Sequence, residues 1–124
     1  MISYIELRQA LAVIDHFGFQ VRDVGLLASA LARPSATVLG EDAYATLPLK
    51  AAALISSLSQ NHSLIDGNKR LALVLTGVFL DINAHHLTFT NDEIFDLVMA
   101  VSQSELELDE IAEVIAAHMR RREL

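Results

Sequence analysis

Residues 62 to 70 read His-Ser-Leu-Ile-Asp-Gly-Asn-Lys-Arg, placing a histidine, a carboxylate, a glycine, an amide and two cations within nine positions of an otherwise apolar chain. Apolar helical stretches flank the run on both sides. The spacing predicts that Gly67, Asn68, Lys69 and Arg70 open the helix that follows. The first N–H groups of a helix lack partners within it and sit at the positive end of its dipole, so an anion complements them. Gly67 lets a ligand lie close to the backbone. Asn68 can donate its amide, and Arg70 can grip phosphate oxygens in a bidentate fork. Asp66 would repel a bare phosphate, so its presence implies a bridging hard cation such as Mg²⁺. His62 stands a few residues upstream, where it could take a proton from whatever attacks that anion. The pattern is that of a phosphate site with its own base.

The same residue types also make an ordinary turn between antiparallel helices. Asp-Gly and Gly-Asn are common turn pairs, and a histidine at a helix end needs no catalytic explanation. Spacing alone leaves both readings open. The other histidines add no site. His85 and His86 are neighbours that point apart, a poor geometry for a shared metal, while His16 and His118 stand alone.

Helical periodicity supplies the elements that must hold this run. Tyr4, Leu7, Leu11 and Ile14 share a face in a segment that stops near Gly18. Val24, Leu27, Ala28 and Leu31 form a second stripe, capped by Asp23 and ended by Pro34. Residues 35 to 46 read as a loop or short helical turn. A third helix begins around Pro48 and buries Ala51, Leu54, Ile55 and Leu58. The fourth, from about Gly67 to Asn83, is apolar nearly all round and is expected at the centre, enclosed by the others. Ile94, Leu97, Val98 and Val101 mark a fifth, with Thr90 and Glu93 at capping-box spacing. Leu108, Ile111, Ala112, Ile115 and Met119 mark the last, and Arg120, Arg121 and Arg122 would complement the dipole at its end. Only Leu87 to Thr90 alternates like a strand. The expected fold is all-α, a compact bundle of about six helices around a central apolar helix, with residues 1–124 forming one domain.

Bulk composition narrows the functional classes. A net charge of −7 argues against direct nucleic-acid binding through a basic surface. The absence of cysteine removes disulfides and thiolate metal sites and fits a reducing compartment. No apolar run reaches the length of a membrane span, and the first residues lack the regions of a signal peptide. The expectation is a soluble cytoplasmic protein without a membrane role.

The run His62–Arg70 resembles the signature of the Fic-fold family, in particular its short Doc (death-on-curing) toxin branch, where the pattern is roughly H-x-F-x-D/N-A/G-N-K-R. The resemblance extends further. Val21 to Leu27 and Ala30 to Pro34 are similar to that branch's RD-GLL-SAL-RP segment, and Tyr44 with Lys50-Ala51-Ala52 and Phe79 to Asn83 also fall in register. The resemblance implies that His62 deprotonates a target hydroxyl and that Asp66 holds Mg²⁺ on the phosphates of ATP. Gly67 and Asn68 would form the anion-binding turn, with Lys69 and Arg70 holding phosphate charge.

Two departures from the larger, adenylylating members bear on the reaction: they carry glycine where this chain has Lys69 and a second arginine where it has Leu73. Doc-type members share both replacements. By that resemblance ATP binds reversed and its γ-phosphate passes to a threonine of elongation factor Tu, stopping translation. AMP transfer is the alternative, and a catalytically weak antitoxin-binding module a further one. Leu64 departs from the Doc pattern itself, replacing a phenylalanine that would anchor the loop, so a smaller contact is expected. Thr37 to Glu41 partly matches the inhibitory-helix pattern of some family members, but Gly40 and the nearby Pro34 disfavour a helix. Control is therefore expected from outside, by a Phd-like antitoxin whose disordered segment folds into a groove of the bundle.

Overall fold

In a computed structural model, which describes residues 1–123, the chain folds into six helices. They are α1 (Leu7–Phe17), α2 (Val24–Ala32), α3 (Leu47–Gln60), α4 (Asn68–Asp81), α5 (Asn91–Ser102) and α6 (Leu108–Ala117). Their ends carry the chemistry that fixes them. Gly18 closes α1 in the left-handed conformation. Asp23 caps α2 by accepting the Leu26 N–H at 3.0 Å. Pro48 lies in the first turn of α3, where its missing N–H would have no partner anyway. Thr90 and Glu93 form the reciprocal capping box of α5.

The helical class agrees with the sequence, but the central apolar helix is α3 rather than α4. α3 packs against α2, α4, α5, α6 and a 3-10 turn at Arg33–Ser35. Lys50 to Ile55, Leu58 and Ser59 on it are all buried. The small side chains of Ala51, Ala52 and Ala53 let neighbours approach from several directions, which a helix of bulky residues would not. α4 buries Leu71, Ala72, Leu75, Phe79 and Leu80, while Leu73, Val74 and Val78 are only half-buried. Its unbroken apolarity overstates its enclosure. On α1, likewise, Ala10 and Ile14 are buried, whereas Leu7 and Leu11 lie at the exposed rim.

Short strands account for the other differences. Thr37–Val38 (β1) and Glu41–Asp42 (β2) form an antiparallel hairpin within the segment expected to be a loop or helical turn. Buried Lys50 ties this hairpin down, its Nζ donating to the Pro34 carbonyl and to Asp42 Oδ2, each at 3.2 Å. Burial works to lower the pKa of Lys50, but the Tyr4 phenol and the Asp42 carboxylate outweigh it, and the net shift is upward. His85–Leu87 (β3) pairs with Met119–Arg121 (β4), His85 opposite Arg121 and Leu87 opposite Met119. The strand expected at Leu87 to Thr90 thus runs from His85 and ends at Leu87, sharing only that residue with the expectation, while Thr90 caps α5 instead. α6 stops at Ala117, so the three arginines do not occupy its last turn. Arg120 and Arg121 lie in β4, and Arg122 binds the Asp81 carboxylate and carbonyl at the end of α4. Pairing between segments so distant in sequence leaves no local periodic signature. None of the described helices is long and apolar enough to cross a membrane.

Candidate active site

The loop between α3 and α4 is fastened to the segment between α1 and α2. The N–H groups of Arg22 and Asp23 donate to the Ser63 carbonyl at 2.8 and 3.1 Å, and the Ile65 N–H donates to the Gln20 carbonyl at 3.0 Å. Val21 and Leu64 form an isolated antiparallel bridge between these segments. Leu64, only 1% exposed, fixes the loop in the core, so the smaller side chain still serves as an anchor. Asn68 closes the loop from the other end. Its Oδ1 accepts the Leu64 N–H at 2.9 Å and its Nδ2 donates to the Leu64 carbonyl at 3.1 Å. The side-chain amide of Asn68 therefore holds the loop, and its backbone N–H is what it presents at the helix start.

Gly67 is the N-cap of α4, with φ +90° and no side-chain cap. A Cβ there would lie 2.7 Å from Phe19 Cε1 and 2.8 Å from Cδ1, so glycine answers both a conformational and a spatial demand. The N–H groups of Asn68, Lys69 and Arg70 in the first turn consequently lack an intrahelical acceptor and a capping side chain. Asp66 Oδ1 accepts the Gly67 N–H at 2.8 Å, which orients the carboxylate over the turn.

A cleft of about 730 Å³ opens on this turn. His62, Asp66, Gly67, Asn68, Lys69 and Arg70 all border it, together with Ser59 and Ile65. The opposite wall is Phe17 to Gln20, from the end of α1. The rings of Phe17 and Phe19 stack at 5.8 Å, and the Arg70 guanidinium lies 6.0 Å from the Phe19 ring centroid, a cation–π contact that steadies it at the rim. Among the described residues neither Lys69 nor Arg70 forms an ion pair, which leaves both charges available to an anion. His62 follows the C-cap of α3 in the left-handed conformation, φ +55°, and its carbonyl accepts from Arg22 Nε at 2.9 Å and Nη2 at 2.5 Å.

His62 and Asp66 to Arg70 thus come to one cleft, with free main-chain donors, two cations that form no ion pair among the described residues, a carboxylate and an imidazole. Such a set can hold a phosphate and move a proton beside it. Neither the aromatic wall nor the Arg22 contact with the His62 carbonyl has a signal in the spacing of the 62–70 run. Gly18-Phe19 reads only as a helix end, and the apolar spacing carries no sign that it folds back over a later turn.

Comparison with known proteins agrees with this geometry. The Fic/DOC family model matches residues 3–80, a span running from the chain start through nearly all of α4. Toxin Doc of Mycolicibacterium smegmatis is 50% identical over 99 residues, covering 78% of this chain and 76% of its own length. The chain belongs to the Fic/DOC family.

Proposed function

We propose that this protein is the toxin of a bacterial toxin–antitoxin pair. It transfers the γ-phosphate of ATP to a threonine hydroxyl of a translation factor, elongation factor Tu, and so arrests translation in the cytoplasm. The observation that carries this reading is the convergence of His62, Asp66 and the open first turn of α4 on one cleft. The half-identical relative named Toxin Doc supports the toxin assignment.

In the proposed reaction an imidazole nitrogen of His62 accepts the proton of the target hydroxyl as its oxygen bonds to the γ-phosphorus. The bond from that phosphorus to the β-phosphate oxygen breaks, and ADP leaves. The N–H groups at the start of α4, with Lys69 and Arg70, stabilise the charge on the transferring group. A loose phosphoryl transition state needs little covalent help, so positioning and charge do most of the work. Asp66 would hold Mg²⁺. Among the described residues its hard carboxylate is the one acidic group on the cleft, and Mg²⁺ is commonly held by one or two carboxylates plus substrate phosphates. Bound there, the ion would neutralise phosphate charge. Leu73, apolar and half-buried, offers no charge for a further phosphate, which supports γ-phosphate transfer over AMP transfer. A Phd-like antitoxin would restrain the toxin through a segment that folds on binding.

The test incubates the protein with elongation factor Tu and ATP labelled separately at the α- and γ-phosphates, beside His62→Ala. The reading expects γ label on the target and a loss of about 10²–10⁴-fold in the mutant, as for removal of a general base. Transfer of the α label would make the protein an adenylyltransferase. No transfer of either label, together with equal growth arrest by wild type and His62→Ala in cells, would overturn the enzyme reading in favour of a binding module.

A further inference from the structure

Three other described non-glycine residues share the left-handed backbone of His62: Leu39 at the hairpin tip, and Ala84 and Ser104 after helices. Main-chain bonds from the preceding helix hold the latter two. Ser104 and Glu105 donate to the Val101 and Ala100 carbonyls at 3.1 and 2.9 Å, the usual closure of a left-handed helix end, and Ala84 donates to Asp81 at 3.1 Å. His62 differs. Among the described residues, neither its N–H nor that of Ser63 reaches a carbonyl of α3. A left-handed conformation is strained for a residue with a Cβ, so something else must hold it.

The geometry points to Arg22 as the positioning residue for His62. Its guanidinium places two donors, Nε and Nη2, on the His62 carbonyl, fixing the peptide plane that follows the histidine. Main-chain bonds from Arg22 and Asp23 to the next carbonyl, that of Ser63, provide a fixed base for the fork. Arg22 does not border the cleft. It acts through the backbone of His62 and touches neither nucleotide nor target. A planar fork with two donors in fixed geometry suits this task, and a lysine ammonium can make only one such bond from a flexible stem. The assignment rests on the reading of His62 as the base.

The test compares wild type, Arg22→Gln and Arg22→Lys in two independent measurements. The first follows the ¹³Cα and ¹³Cβ shifts of His62, which report its backbone conformation whether or not the protein turns over. The proposal expects the left-handed signature to be lost in Arg22→Gln and partly kept in Arg22→Lys. The second measures γ-phosphate transfer. The expectation is a fall in kcat of roughly ten- to a hundredfold in Arg22→Gln, the scale of a misplaced catalytic group. KM for ATP should stay within about twofold, because the phosphate-binding turn is untouched, and Arg22→Lys should recover part of the loss. Unchanged His62 shifts in Arg22→Gln would overturn the proposal. So would a rise in KM without a fall in kcat, which would place Arg22 on the ligand. If wild type transfers no phosphate, the enzyme reading fails and the His62 shifts alone decide whether Arg22 sets its backbone.

Discussion

Replacing Gly67 by alanine should damage the protein through two separable terms. The first is conformational: at φ +90° a residue with a Cβ is strained by about 1–2 kcal/mol relative to glycine. The second is spatial. The new methyl would stand 2.7 and 2.8 Å from two ring carbons of Phe19, distances that force something to move. The ring cannot simply swing aside without leaving its stack with Phe17 and its place beneath Arg70. Overpacking of this kind costs roughly 1–3 kcal/mol. Together they give a loss of about 2–5 kcal/mol, a large part of the stability of a small domain. Urea denaturation of wild type, Gly67→Ala, Phe19→Ala and the double mutant measures both terms. Removing the ring relieves the clash but not the strained φ, so the double mutant should be more stable than the two single losses predict by about 1–3 kcal/mol. A coupling within about 0.5 kcal/mol of zero would refute the reasoning, because residues that do not touch behave additively. Nucleotide titration of Gly67→Ala adds a functional readout: if α4 shifts to relieve the contact, its first N–H groups move, and on the proposed function the affinity for ATP falls.

Asn68→Ala removes both bonds to Leu64 and leaves a partly buried N–H and C=O without their partner. A loss of about 1–3 kcal/mol is expected, with faster hydrogen exchange at the Leu64 amide. Wild-type stability and exchange would show that the side chain does not hold the loop. The pair His118–Glu93 should give stability a pH dependence. Both ring nitrogens of His118 face acceptors, Nδ1 the Val114 carbonyl at 2.8 Å and Nε2 the Glu93 carboxylate at 3.1 Å, which favours the doubly protonated ring. The Val114 carbonyl first, and then Glu93, raise its pKa above the usual 6.5. The Thr90 N–H first, and then His118, lower that of Glu93 below 4.5. The raised histidine stabilises fully below 6.5, and its contribution is lost as pH climbs through the folded value. The lowered glutamate stabilises above 4.5, and its contribution is lost as pH falls through the folded value. The Tm deficit of His118→Ala should therefore be largest between those two ordinary values and shrink as pH rises; a deficit constant across pH would show that only the stacking on Phe89 matters.

What the sequence made legible follows from the range of the forces involved. Helix existence depends on near neighbours, and α2 and α5, with their caps, lie where local spacing puts them, although α2 buries Leu27, Ala30 and Leu31 and leaves Val24, the first residue of the expected stripe, exposed. The centre of the bundle depends on all the helices at once. The alanines of α3 carry little hydropathy each, yet they allow close approach from several sides, so α3 rather than the more apolar α4 takes the middle. Of the β3–β4 pair the alternation from Leu87 hints at one strand, whereas β4 was illegible for a related reason: Met119 continues the apolar spacing of α6, and only the edge offered by His85–Leu87 makes a strand the better outcome.

The candidate site divides along the same line. The run from His62 to Arg70 announced its chemistry because its members are close in sequence and share one turn. What separates an anion-binding turn from an ordinary one is where its donors are spent, and that is settled by residues elsewhere. Asn68 has the right type to donate to a phosphate, but its side chain is committed to Leu64. The backbone N–H groups of α4 stay open because Gly67 cannot cap them. Gly67 can hold its conformation because Phe19, some fifty residues earlier, leaves room for a hydrogen and no more. The Gln20–Asp23 stretch, equally distant, closes the loop that α3 itself leaves open at His62. The reactive groups are thus local, whereas the constraints that make them a site reach across the chain, and substitutions at Phe19 or Arg22 should impair the cleft without altering any of the groups that give it its chemistry.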